Sequence, residues 1–239
     1  LKVFICGNVS DKDIEYLKNL LVQKRNKTIN INMDYMNTSH CHKAGNQAYI
    51  TDNQNHKNKE IKEVVEFFDV TQAKLSIGFR ANVYPVDKDF HALFVTTGIL
   101  DGDMNSKLFK NVREKAGLAY YIFSLFEKFK GIILISCGID AQNKEKTVEL
   151  ILEQIAEIKS GNISEIEYKS ALKSIENAIN SIRDDQLQVI DFYLDQVLSK
   201  TNESFDGLIE KTKKVTISDI IEVSKKVEPE VIYLLSSSN

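Results

Sequence analysis

Residues 100–124 read LDGDMNSKLFKNVREKAGLAYYIFS, and the hydrophobic period changes part-way along them. Over 105–115 the apolar side chains Leu108, Phe109 and Val112 fall on one helical face, which predicts a helix with that face inward. Gly117 follows as a left-handed helix terminator. From 119 to 126 the run AYYIFSLF is apolar and rich in aromatics, which predicts a strand. Arg113 therefore stands near a helix end, and Tyr120, seven positions on, stands at a strand start. A helix end and a strand start joined by a short turn can aim two polar side chains into one space.

Outward from this stretch the pattern stays regular. A second strand, 132–139, follows the connection EKFKG, and both strands are apolar at nearly every position, which predicts that both faces are covered. Upstream, Leu75, Ile77, Phe79 and Ala81 alternate with Lys74, Ser76, Gly78 and Arg80, the pattern of a strand with one wet face. Phe90, Leu93, Phe94 and Thr97 predict a helix over 88–100, broken at 101–103. Downstream, helices are expected over 144–159 and from 165, the first ended by Gly161 and the second capped by Ser164 with Glu167. A break is expected near Asp184 and Asp185, a last helix opens at Thr216 with Asp219, and VIYLLSSS closes as a strand.

At the other end, KVFICG reads as a short strand, and 11–24 as an amphipathic helix with Ile14, Leu17, Leu20 and Leu21 on one face. Residues 25–59 are rich in Asn, His and Lys without periodicity and read as loop and linker.

A chain of 239 residues with 43% hydrophobic and 27% charged residues has the composition of an ordinary soluble globular protein. Its net charge of −3 offers no broad attraction to nucleic acid or anionic lipid, so neither is an expected partner. Cys6, Cys41 and Cys137 are odd in number and irregular in spacing, which is no disulfide framework. Nothing approaches a run of roughly 18–20 apolar residues, and no signal peptide is visible, so the expected location is cytoplasmic. A first residue that is not Met and already reads as strand suggests a piece of a longer protein. His40, Cys41 and His42 are metal-ligand types, but three adjacent residues in a polar loop cannot close a tetrahedral site unaided. His91 reads as a surface or satisfied core histidine.

The 100–124 segment resembles the second-domain segment of the pitrilysin and insulinase family of zinc metallopeptidases, which includes the mitochondrial processing peptidase. The matching residues are Leu100, Gly102, Ser106, Leu108, Phe109, Val112, Arg113, Glu114, Gly117, Leu118, Ala119 and Tyr120. The hairpin, the helix after it and the SEIEYKSALKSIENAI helix fit in order, so the resemblance covers roughly 71–236. It implies an α+β fold, an antiparallel sheet with helices packed on it, of the mitochondrial processing peptidase-like metallohydrolase type. Because the first strand, KVFICGNV, echoes the last, residues 1–67 are expected to be the tail of a preceding homologous domain plus linker. Residues 68–239 would be the second, non-zinc domain.

In that family the zinc site lies in the first domain, on a helix carrying HxxEH, whose spacing puts two imidazoles on one face beside a general base. None of the four histidines here, His40, His42, His56 and His91, has that context. No metal ligand or catalytic residue is therefore expected in this chain alone, and zinc is expected in a missing or partner half. The resemblance implies a substrate-binding role for Arg113 and Tyr120, facing the zinc across a chamber. A guanidinium offers a fork of donors to peptide carbonyls, and a phenol can stabilise charge on an attacked carbonyl oxygen. Tyr121 should face the other way on a regular strand. The plainer reading makes Arg113 a cation favoured at a helix C-terminus and Tyr120 a strand aromatic. The function expected is thus the non-catalytic half of a peptidase-like protein, clamping an extended peptide opposite a zinc-bearing domain or subunit. The alternatives are a structural or assembly subunit of the same fold and a module that captures peptides by strand addition.

Overall fold

The structure, a computed structural model, describes Ser10, Lys12, residues 14–16 and residues 60–237. Its sheet has five strands in the order β1-β5-β2-β4-β3. These are β1 (Lys62–Phe67), β2 (Ala73–Arg80), β3 (Ala119–Glu127), β4 (Ile132–Ile139) and β5 (Glu228–Ser236). β2 pairs antiparallel with β4 and β5, and β3 pairs antiparallel with β4. The expected α+β architecture is therefore present, with one departure: β1 runs parallel to β5. Residues 62–67, expected to fall with the linker, are instead an edge strand of the domain. The sequence signal failed there because KEVVEF is mostly exposed and carries too few apolar side chains to show alternation.

β2 follows its alternation: Leu75, Ile77 and Phe79 are fully buried, whereas Ser76 and Arg80 are half-buried. Each of those three side chains contributes about 1.5–3 kcal/mol by leaving water. Ile133, Ile135, Cys137 and Ile139 of β4 and Ile232 and Leu234 of β5 extend the same buried face. Helices α1 (Phe90–Asp101), α2 (Lys144–Lys159), α3 (Glu165–Ile182) and α6 (Ile217–Ser224) supply Leu93, Ile99, Ile151, Ile158, Ile175 and Ile220 to the same core. At Gly98 the approach of α1 to α3 is close: an added Cβ would lie 3.0 Å from Ile175 Cδ1.

The expectation that β3 and β4 are covered on both faces is not met. Phe123 and Leu125 are exposed and Ile132 and Leu134 are half-buried, on the face away from the helices. An apolar run shows what a strand tolerates, and aromatic and branched side chains suit a pleated, half-buried surface as well as a core.

The expected boundaries downstream hold. Gly161 has φ +82°, and both capping boxes, Ser164 with Glu167 and Thr216 with Asp219, are formed. Asp185 caps α4 (Gln186–Ser199) by accepting from the Leu187 and Gln188 amides. A further helix, α5 (Phe205–Lys214), precedes α6. Most of the helix expected over 11–24, the strand over 2–7 and the linker over 25–59 lie outside the described residues.

Candidate substrate-facing site

The segment expected as a helix over 105–115 forms a π-helix, Leu108–Lys115, with Leu108 and Val112 fully buried. The wider turn ends in an Ala116 N–H donating to the Asn111 carbonyl at 3.2 Å, five residues back. Its start is tied to α3. The Ser170 hydroxyl donates to Asp103 at 2.7 Å, the Asn105 amide group donates to Ser170 at 2.9 Å, and the Ser174 hydroxyl donates to the Gly102 carbonyl at 2.6 Å. Beneath them Lys107 and Glu167 form an ion pair at 3.3 Å, their side chains only 4% and 10% exposed. In the middle of the π-helix the Asn111 amide group donates to Gln154 of α2 at 2.5 Å. The element is thus held to two helices by buried or half-buried polar contacts, which fixes where its last turn points.

That turn carries Arg113, exposed, its guanidinium 4.9 Å from the centre of the Phe109 ring. Gly117, at φ +61°, reverses the chain, and the Leu118 amide donates to the Val112 carbonyl at 3.1 Å. β3 then begins with an irregularity: Ala119 pairs with Ile139 and Tyr121 pairs with Gly138, leaving Tyr120 as the extra residue of a β-bulge. Ala119 and Ile122 are both buried, and the two tyrosines between them are not. The expected opposition of Tyr120 and Tyr121 is therefore removed, because the bulge interrupts the two-residue period. Tyr121 stacks on Phe123 with ring centres 6.2 Å apart.

Tyr120 is 60% exposed, and its hydroxyl donates to Asp140 Oδ1 at 3.0 Å. The hydrogen bond, and next the negative charge, of Asp140 raise the phenol above its ordinary value. Arg113 and Tyr120 are thus both presented to solvent from the two sides of one short turn, although neither is the other's hydrogen-bond partner among the described residues.

Two acids that the sequence reading did not single out as site residues accept hydrogen bonds from β3. Asp140 stands immediately after β4. Asp101, the last residue of α1, accepts the Ser124 amide of edge strand β3 at 2.5 Å. Burial pushes the Asp101 carboxyl up to about 6 against the opposing pull of that amide. It borders a cleft of about 580 Å³ whose walls include Phe90, Phe94, Phe126 and Phe192. Neither acid has a motif around it; only the fold brings each to its partner.

Comparison with known proteins agrees with this architecture. Residues 1–175 match the model of the peptidase M16 inactive domain. The chain belongs to that family. A "probable inactive metalloprotease YmfF" of Bacillus subtilis is 34% identical over 186 residues, covering 77% of this chain and 44% of the relative. A conserved protein from Enterococcus faecalis has a similar structure, with a TM-score of 0.71 and 31% identity over 76% of this chain and 43% of that one. An M16 inactive domain from Pseudomonas fluorescens, at 18% identity and a TM-score of 0.63, shares the fold over 75% of this chain and 44% of its own. The M16 chain described here thus spans less than half the length of these relatives. Among its described residues no three His, Cys, Asp or Glu side chains are grouped to hold a metal ion. His91 hydrogen-bonds Glu203 at 3.2 Å, and His40, Cys41, His42 and His56 lie outside the described residues. No described helix is long and apolar enough to cross a membrane.

Proposed function

We propose that this M16 inactive domain holds an extended peptide opposite a zinc-bearing homologous half, in the same parent chain or in a partner subunit. The observation that carries the reading is the paired presentation of Arg113 and Tyr120. Both leave the regular period of their elements, one on a π-helix and one on a bulge, and both reach solvent while the residues around them anchor the turn. Irregularities of this kind recur at functional sites because they re-aim a side chain. Arg113 supplies carbonyl-binding donors, and Tyr120 supplies a hydroxyl at the attacked peptide group. Zinc and the attacking water belong to the other half. Of residues 1–67, those ahead of β1 are the tail of a preceding homologous domain and a linker, and the assembly works in the cytoplasm.

The test is reconstitution with the zinc-bearing half, followed by cleavage of an unstructured fluorogenic peptide. Tyr120→Phe should lower turnover about 10²–10³-fold, as loss of one oxyanion donor does, without changing the melting temperature. Arg113→Ala should raise KM as well. A double variant that folds, assembles and cleaves normally would remove the clamp and leave a structural subunit.

A further inference from the structure

The Tyr120 ring projects from a bulge and is largely exposed, so packing alone leaves it free to swing. Its polar anchor is the carboxylate of Asp140. Asp140 is placed unusually for its residue type. It is the N-cap of a short 3₁₀ turn, Ala141–Asn143, where an aspartate ordinarily accepts from the amides of the turn it opens. Here its side chain makes no such bond; the backbone carbonyl of Asp140 accepts the Asn143 N–H at 2.8 Å, as in any 3₁₀ turn. The side-chain carboxylate is left for the Tyr120 hydroxyl, across the hairpin from the bulge.

We propose that Asp140 is the positioning residue of this site, holding the Tyr120 hydroxyl where a peptide backbone meets it. The inference rests on the substrate-holding reading of Tyr120 and adds the residue that makes that reading workable. A donor contributes to binding a developing charge only if it is already in place, and a supporting hydrogen bond is the usual means. Asp140 also makes the phenol harder to ionise, through its hydrogen bond and because ionisation beside a carboxylate sets two negative charges together. Among the described residues, Asp140 is the charged group that acts on this phenol. Removing the carboxylate should therefore loosen the ring and make the phenol more acidic, whereas an amide at the same position can still accept the hydrogen bond.

Two measurements decide it. In the 239-residue chain, tyrosinate absorbance is followed against pH for the parent, Asp140→Ala and Asp140→Asn, each with its Tyr120→Phe counterpart subtracted to isolate one phenol. Asp140→Ala should bring that titration down to the range of an ordinary exposed tyrosine, and Asp140→Asn, which keeps the hydrogen bond but loses the charge, should bring it part of the way. With the zinc-bearing half and the fluorogenic peptide, Asp140→Ala should lower turnover about tenfold, the scale of supporting partners at other sites. Asp140→Asn should recover most of it, and Asp140→Ala in the Tyr120→Phe background should cost nothing further. An unmoved titration would overturn the inference while leaving the clamp standing. So would full turnover of Asp140→Ala in a preparation where Tyr120→Phe is impaired. If Tyr120→Phe is itself silent while the titration moves as expected, the clamp reading fails and takes the positioning role with it.

Discussion

Asp101 offers a stability test whose sign runs against the usual behaviour of an aspartate. Its carboxyl is held half-buried at the end of α1, where it accepts the Ser124 amide, and burial raises it from the ordinary 3.8 to about 6. Between those values the folded protein binds a proton that the unfolded chain has released. Stability from this group is therefore highest below pH 3.8, falls as pH rises towards 6, and is constant above it. At about 1.36 kcal/mol per pH unit the full penalty would be about 3 kcal/mol. The group is only half-buried, and solvent screening reduces this to about 1–2 kcal/mol. Asp101→Asn removes the charge and keeps an oxygen for the Ser124 amide, so it should stabilise the protein by that amount at pH 7. For a chain of this size the gain corresponds to roughly 2–8 °C in melting temperature. Paired urea or thermal melts of parent and variant across the pH range provide the assay. The two should converge near pH 4. A difference independent of pH, or a variant less stable than the parent at pH 7, would refute the assignment of a charged, burial-strained carboxylate.

Other expectations follow from the core and its polar ties. Cys137 is 1% exposed and its thiol is pushed up to about 12 by burial. Alkylation localised to this residue by mass spectrometry should therefore be negligible in the folded protein and track unfolding in urea. Glu167→Ala should cost about 3 kcal/mol in urea denaturation, because it strands the Lys107 ammonium, whose side chain is 4% exposed, and breaks the Ser164 capping box. Ser164→Ala, which removes only the cap, should cost about 1 kcal/mol.

Much of the fold was legible because its signals are local. The period of two in β2, the capping pairs at Ser164 and Thr216, and Gly117 and Gly161 each act within a few residues of the chain. What escaped is what depends on partners far away in sequence. β1 is a strand because β5 offers it a ladder, with Val64 opposite Tyr233, and little in KEVVEF itself compels it. The open face of β3 and β4 escaped because a fully apolar strand reads alike whether or not its second face is covered. Arg113 and Tyr120, the residues of the proposed clamp, were legible from their segment. Asp140 was not, since its meaning lies in a hydrogen bond to a residue twenty positions earlier.

If this turn is the substrate-holding site proposed above, its two irregular elements account for the placement of both side chains. In a regular helix and strand, the direction of each side chain is dictated by the same period that buries Leu108, Val112, Ala119 and Ile122. A residue between them can then point only where the core pattern leaves it. The wider π-turn before Arg113 and the extra residue at Tyr120 uncouple the two side chains from that pattern while the buried positions on either side stay in register. Such departures cost stability locally and persist only where surrounding contacts hold them. Here the supports are identifiable: Gln154 on Asn111, Ser170 and Ser174 on the 102–105 loop, and the buried Lys107–Glu167 pair below. Among the described residues, none of these bonds is made by Arg113 or Tyr120. They fix the frame from which both exposed side chains project, which is what the proposed clamp requires of this turn.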